Sequence, residues 1–118
     1  SLGTAVRPLA WAMGVPWSET GYVGGLIGVK TVLNEFVAYA QFGRDLAAGA
    51  SPISPRSAVI AAYALLGFAN LGTIGISIGG IGGMAPSRRS DIARFGLRAM
   101  LAGNLAAFLS ATLAGMLL

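Results

Sequence analysis

A single carboxylate within an apolar stretch is the first feature of this sequence that could do chemistry. Glu35 lies between the apolar run Tyr22–Val29 and a second apolar run that begins at Phe36. An acid at the centre of a membrane helix costs about 2.5 to 3.5 kcal/mol, so it persists where it is paired or functional. Lys30 is a candidate partner, but its five-residue separation is poor for helix neighbours, which lie three or four apart. Two interpretations stay open: a site that accepts hydrogen bonds from a hydroxylated ligand, and a structural ion pair.

A second polar group interrupts the long apolar run that follows. Two glycines and Asn70 weaken a helix within Gly67–Thr73. Asn70 offers two donors and an acceptor, and Thr73 offers a hydroxyl. Broken helices near the bilayer midplane are where secondary transporters bind their substrates, which makes both residues candidate ligand contacts. The alternative is that Asn70 only caps a half-helix, and Phe68 by itself is more typical of a packing residue.

The residue types exclude most catalytic chemistry. The sequence contains no Cys and no His, so it has no thiolate metal site and lacks the most common general base. Gly79–Gly83 follows an apolar helix rather than a strand, so it is a poor dinucleotide-binding motif. We therefore expect no enzyme, no metal site and no cofactor. The net charge of +4 is explained by membrane-flanking arginines, so we expect no nucleic-acid partner.

The elements that must position these residues are membrane helices. Only 10% of the 118 residues are charged and 55% are apolar, whereas soluble domains carry roughly 25% charged residues. The uncharged blocks Ser57–Ser87 and Ala99–Leu118 are each long enough to cross a bilayer core, which takes about 20 residues. We predict an all-α integral membrane protein that crosses the membrane several times. Because the sequence begins with Ser rather than Met, we expect it to be a piece of a longer protein.

Turn signals and charges divide the chain into four predicted parts. These are the end of a preceding helix (1–17), a re-entrant helical hairpin (18–49), a broken transmembrane helix (56–84) and a last transmembrane helix (92–118). In the first part, Trp11 and Trp17 fit either an interfacial aromatic belt or an ordinary core. In the third, Ser54-Pro55 is expected to open the helix.

The hairpin is predicted from two arms that are too short to span. Ser18-Glu19 can cap the first arm, and Arg44-Asp45 ends the second. Apolar arms of 10 to 14 residues are typical of re-entrant or buried segments. The alternative is one tilted spanning helix, Gly21–Phe42, with Lys30 and Glu35 facing inward.

The last two predicted parts carry packing and orientation signals. Gly75, Gly79 and Gly83 repeat every four residues, which predicts close helix packing on one face. The loop Arg88–Arg94 is the most basic stretch, so we expect it to be cytoplasmic, with the C-terminus outside.

Three segments of ten residues, in this order and spacing, resemble one transporter family. They are Pro8–Trp17, Lys30–Tyr39 and Gly67–Ile76, and together they are similar to motifs of the concentrative nucleoside transporters. Arg88–Arg94 resembles the bacterial members. The likeness covers essentially the whole chain.

The resemblance implies a cation-coupled nucleoside symporter in the plasma membrane, the inner membrane of a bacterium. It implies a homotrimer, and coupling to Na+ or, in some relatives, to protons. By motif, Glu35 would accept from ribose hydroxyls, Asn70 would also bond the ribose, and Phe68 would contact the sugar and base. Thr73 stands where the family usually has Ser, and its added methyl group restricts the rotamer.

Much of such a transporter would lie outside this chain. The family's first hairpin, which reads the base, and most of the sodium ligands would be upstream, so base preference and ion identity are not determined by this sequence. A fragment with half a substrate site is not expected to fold or transport alone. The first competing hypothesis is a non-transporting membrane assembly subunit. The second is a soluble enzyme or binding domain, which the apolar composition strongly disfavours.

Overall fold

Helices account for more than three-quarters of the chain. The structure is a computed structural model that describes residues 1–118. It contains one 3-10 turn, Pro86–Arg88, and six α-helices: α1 (Leu2–Ala12), α2 (Thr20–Val32), α3 (Glu35–Ala47), α4 (Pro55–Ala64), α5 (Leu71–Met84) and α6 (Arg89–Met116). The predicted all-α class is confirmed.

Helices α1 and α2 cross where both carry glycine. A Cβ added to Gly24 would lie 2.6 Å from the carbonyl oxygen of Gly3, a distance that no side chain tolerates. Small residues of this kind let two backbones approach closely. Beside the crossing, Arg7 Nε donates to Thr20 Oγ1 over 3.1 Å. Helix α1 therefore fixes the position of α2.

Helices α2 and α3 form an antiparallel hairpin that turns at Leu33-Asn34. The Tyr22 hydroxyl, near the start of α2, donates to the Asp45 carboxylate near the end of α3 over 2.5 Å. The rings of Tyr22 and Phe42 are 6.4 Å apart. The alternative of one tilted helix over Gly21–Phe42 is therefore wrong.

The predicted cap of the first hairpin arm is also wrong. No side chain caps α2, whose N-cap position is Glu19. The Glu19 carboxylate instead accepts from the backbone N–H and the hydroxyl of Ser54, both at 3.2 Å. Ser54 in turn caps α4 by accepting from Ser57 N, and Pro55 is the first helical residue, as predicted. A chain of hydrogen bonds thus joins the start of the hairpin to the start of α4.

Helices α4 and α5 run one after the other along α6, in the opposite direction. Arg56 at the start of α4 donates to the Gly115 carbonyl near the end of α6. A Cβ on Gly82 near the end of α5 would lie 3.1 Å from Arg89 at the start of α6. The break between α4 and α5 covers 65–70 and includes Gly67 at φ +88°, a left-handed conformation that favours glycine. The helix resumes at Leu71, before the end of the predicted break.

The apolar core excludes α5. Fourteen buried apolar residues from the other helices, the loop after α1 and the start of the break after α4 form one cluster, and none belongs to α5. A Cβ on Gly75, Gly79 or Gly83 would meet nothing within 4 Å. The prediction that another helix of this chain packs closely on that face is therefore wrong. Trp11 and Trp17 are 61% and 53% exposed, so neither is a core residue within this chain. By length and apolar composition, one helical segment, Pro86–Met116, could cross a membrane.

Candidate functional site

The starts of two helices meet where the hairpin turns and the broken helix resumes. Asn34 precedes α3, and its Oδ1 accepts from the backbone N–H of Val37 over 2.9 Å. Asn70 precedes α5, and its Oδ1 accepts from the backbone N–H of Thr73 over 3.0 Å. Each helix start carries a partial positive charge from its unpaired N–H groups. The chain therefore brings two such positive ends to one place.

Glu35 lies in the first turn of α3 and contacts the cap of α5 directly. Asn70 Nδ2 donates to Glu35 Oε2 over 3.1 Å. Asn70 is 4% exposed. It caps α5 through Oδ1 and bonds the carboxylate through Nδ2 at the same time. Lys30 forms no ion pair with Glu35, because the single salt bridge of the chain joins Arg88 to Asp91. The interpretation of Glu35 as half of an ion pair with Lys30 is therefore wrong.

The carboxylate keeps free acceptor capacity. Glu35 is half-buried, and Asn70 is the one hydrogen-bond partner that its side chain has in the chain. The Oε1 atom thus has no partner. An ionised carboxylate accepts about four hydrogen bonds, and its position at a helix start stabilises the charge. The carboxylate therefore offers a hydroxyl donor an acceptor that this chain leaves unsatisfied.

Thr73 and Phe68 complete the predicted set around Asn70. The Thr73 hydroxyl donates to the carbonyl oxygen of Phe68, so its proton is used within the break and its lone pairs remain to accept. The Phe68 ring is 74% exposed, so its interpretation as a packing residue is wrong within this chain. All four predicted residues lie together, linked through Asn70 and the backbone of the break.

A cavity of about 420 Å³ lies between α5 and the first half of α6. Phe68, Asn70 and Thr73 line it at one end, and the rest of its wall is mostly apolar. Ligand sites are typically about 300 to 1,000 Å³, mainly apolar, with a few placed polar groups. Glu35 does not line this cavity, but it is bonded to Asn70, which does. The arrangement is suited to a ligand with one hydroxylated part and one flat or apolar part.

Two polar contacts that hold this site were missed by sequence reasoning. Lys30 and Asn104 are both buried, and Lys30 Nζ donates to Asn104 Oδ1. The Tyr39 hydroxyl donates to the Ala62 carbonyl over 2.6 Å, satisfying one of the carbonyls that the end of α4 leaves free. The signal for Asn104 was available: it is the single amide side chain in the uncharged block Ala99–Leu118.

Known nucleoside transporters are similar to this chain over nearly its whole length. The family described as the Na+ dependent nucleoside transporter C-terminus matches residues 1–115. An uncharacterised transporter of Bacillus subtilis, YutK, is 53% identical over 98% of this chain and 28% of its own length. The nucleoside permease NupC of Helicobacter pylori is 44% identical over 98% of this chain and 28% of its own length. These relatives are a transporter and a permease, not enzymes.

The fold of the chain is also similar to that of a solved protein structure. The structure of CNTnw in an inward-facing, substrate-bound state matches with a TM-score of 0.90 at 50% identity, over 97% of this chain and 27% of CNTnw. The chain thus spans between a quarter and a third of the length of these proteins. It is the C-terminal portion of a membrane protein and belongs to the Na+-dependent, concentrative nucleoside transporter family.

Proposed function

We propose that the protein carrying this chain is a nucleoside symporter coupled to a cation, with Na+ as the first candidate and protons as the second. In this proposal the chain supplies the half of the site that binds the ribose. Glu35 accepts from the sugar hydroxyls, Asn70 orients Glu35 and bonds the sugar, Thr73 accepts through its oxygen, and Phe68 covers the sugar and base.

The observation that carries this proposal is the hydrogen bond between Glu35 and Asn70. It joins two helix starts, leaves the second carboxylate oxygen without a partner in this chain, and links Glu35 to a residue that lines the cavity. Hydrogen bonds to charged groups are worth about 1.5 to 3 kcal/mol, enough to distinguish a ribose from a sugar that lacks a hydroxyl. Acceptors left without a donor make such a site reject deoxy analogues.

The same proposal sets the protein in the plasma membrane, which in a bacterium is the inner membrane. Helices α2 and α3 form the re-entrant hairpin (18–49), α4 and α5 the broken helix (56–84), and α6 the last span (92–118). The exposed arginines around the start of α6 favour a cytoplasmic Arg88–Arg94 loop and an outer C-terminus. The family likeness supports a homotrimer and sodium ligands that lie mostly upstream.

The test is uridine binding to the full-length protein in detergent, with and without Na+. We expect Na+-dependent binding in the wild type and an affinity at least about tenfold lower in Glu35→Gln, because the charge-assisted acceptor is lost. Glu19→Gln is the matched control, since that carboxylate bonds Ser54 and lies away from the site. Binding that ignores Na+ would point to protons. Unchanged affinity in Glu35→Gln would remove the ribose role, and no uridine binding in the wild type would leave a membrane assembly subunit.

A further inference from the structure

A buried lysine lies beside the candidate site with no carboxylate of this chain within salt-bridge distance. Lys30 is 0% exposed, and its one side-chain hydrogen bond goes to Asn104 Oδ1. Burying an ammonium group is costly unless it is paired and hydrogen-bonded. A cation kept on a neutral amide adds little to stability compared with an apolar side chain of similar size. A buried lysine at this place is therefore poorly explained by packing alone.

Asn104 connects this lysine to the helix break. Its Nδ2 donates to the Ala69 carbonyl over 2.9 Å and to the Met100 carbonyl over 3.1 Å. Ala69 immediately precedes Asn70, and its carbonyl belongs to the break, where no helix satisfies it. Asn104 is itself 5% exposed. The Asn104 amide on α6 therefore hydrogen-bonds both to the backbone next to the α5 cap and to the side chain of Lys30.

Lys30 carries the connection into the hairpin. It lies in the last turn of α2, directly before the turn that places Glu35 at the start of α3. The hairpin turn lies next to α5, since a Cβ added to Gly72 would be in ordinary van der Waals contact, 3.8 Å, with the Leu33 carbonyl oxygen. The contacts that run from Glu35 through the hairpin turn, Lys30, Asn104 and the break to Asn70, and back to Glu35, thus form a closed ring of contacts.

We propose that Lys30 and Asn104 are positioning residues that set the gap between Glu35 and Asn70, and through it the selectivity for sugar hydroxyls. This inference rests on the proposed function. Neither residue touches the ligand; both act through the residues that do. Because hydrogen bonds weaken steeply when their distance or angle changes, a loosened ring costs most for the ligand that uses most of these bonds. A ribonucleoside therefore loses more affinity than its deoxy analogue.

Two variants distinguish the loss of the hydrogen bond from Asn104 to the break from the effect of leaving a buried charge unpaired. Asn104→Asp keeps an oxygen for Lys30, so the ammonium stays paired, but it has no N–H for the Ala69 carbonyl. The double variant Lys30→Met with Asn104→Leu removes both buried polar groups and leaves no unpaired charge. Thr112→Val is the matched control: its half-buried hydroxyl also lies on α6 but donates within that helix, to the Phe108 carbonyl over 2.8 Å.

The measurement is the affinity of the full-length protein for uridine, 2′-deoxyuridine and 3′-deoxyuridine, on samples that elute as a single peak in detergent. Wild type and Thr112→Val should prefer uridine by at least about tenfold over the deoxy compound that lacks the recognised hydroxyl. In both test variants we expect uridine to lose about tenfold while the deoxy compound changes by less than about threefold, so the preference falls.

Three results would overturn the inference. Equal losses for uridine and its deoxy analogues would make the pair a general structural support, and unchanged affinities for all three compounds would make it irrelevant to the sugar. In both cases wild-type uridine binding would leave the proposed function standing. A wild type that binds no nucleoside would remove the proposed function and this inference together.

Discussion

Asn70 performs two tasks, and substitutions can separate them. Its Oδ1 caps α5 by accepting from Thr73 N, and its Nδ2 donates to Glu35. Asn70→Ser keeps a capping oxygen but loses the donor that reaches Glu35. Asn70→Ala loses both, and Asn70→Asp keeps the cap but places a second carboxylate against the first.

The structure gives magnitudes for each loss. Loss of an N-cap costs about 1 kcal/mol of stability, and loss of a donor to a charged group costs about 1.5 to 3 kcal/mol. If all of the second figure is lost from the ligand-bound state, the affinity falls by about 10- to 150-fold, which is the upper limit of the change. Two like charges about 4 Å apart repel by about 4 kcal/mol at an effective dielectric constant of about 20. In Asn70→Asp one carboxyl is therefore expected to take up a proton as the pH falls.

Uridine titration calorimetry and thermal unfolding of the full-length protein check these values. Both Asn70→Ser and Asn70→Ala should lose about tenfold in affinity, and the alanine variant should also unfold at a lower temperature. Asn70→Asp should bind weakly at high pH and recover as the pH falls, since a protonated carboxyl can donate to Glu35. Wild-type affinity in the serine variant, with a pH-independent aspartate variant, would refute a role for the Asn70 amide.

Three further changes test the contacts that hold the site in place. Tyr39→Phe leaves a carbonyl of α4 without its donor and should cost about 1 kcal/mol of stability, measured by thermal unfolding. Gly24→Ala should destabilise by about 1 to 3 kcal/mol because its Cβ meets a carbonyl oxygen of α1, whereas Gly21→Ala has open space and serves as its control. Arg56→Gln removes donors to carbonyls after α1 and near the end of α6; equal unfolding temperatures for wild type and variant would contradict that joining role.

The sequence was informative wherever local chemistry decides the structure. Ser54-Pro55 opens α4, the hairpin arms are too short to span, and the polar residue Asn70 stands at a helix start. Each of these follows from capping, proline geometry or helix length, which act over a few residues. Glu35, Asn70 and Thr73 became candidate ligand contacts because a polar group in an apolar run requires a reason, whereas Phe68 became one only through the family resemblance.

Long-range partners were the part that sequence reasoning could not supply. The sequence suggested Glu35, five positions away, as a partner of Lys30. In the structure Lys30 bonds Asn104, which lies 74 positions along the chain. The close helix contact is made by Gly24 against Gly3, not by the regular glycine repeat of α5. Spacing along one helix identifies which face is small or polar, but it does not identify which helix covers that face.

The electrostatics of the site favour a neutral ligand with hydroxyl groups over a phosphate. A bare helix start attracts anions through its free N–H groups and its dipole. At this site two helix starts converge, but the Asn34 and Asn70 side chains satisfy one backbone N–H at each, and the Glu35 carboxylate occupies the position that an anion would take. What remains is an unsatisfied acceptor oxygen, which attracts donors and repels negative charge. This balance gives a physical reason why the site, in the proposed function, takes a nucleoside rather than a nucleotide.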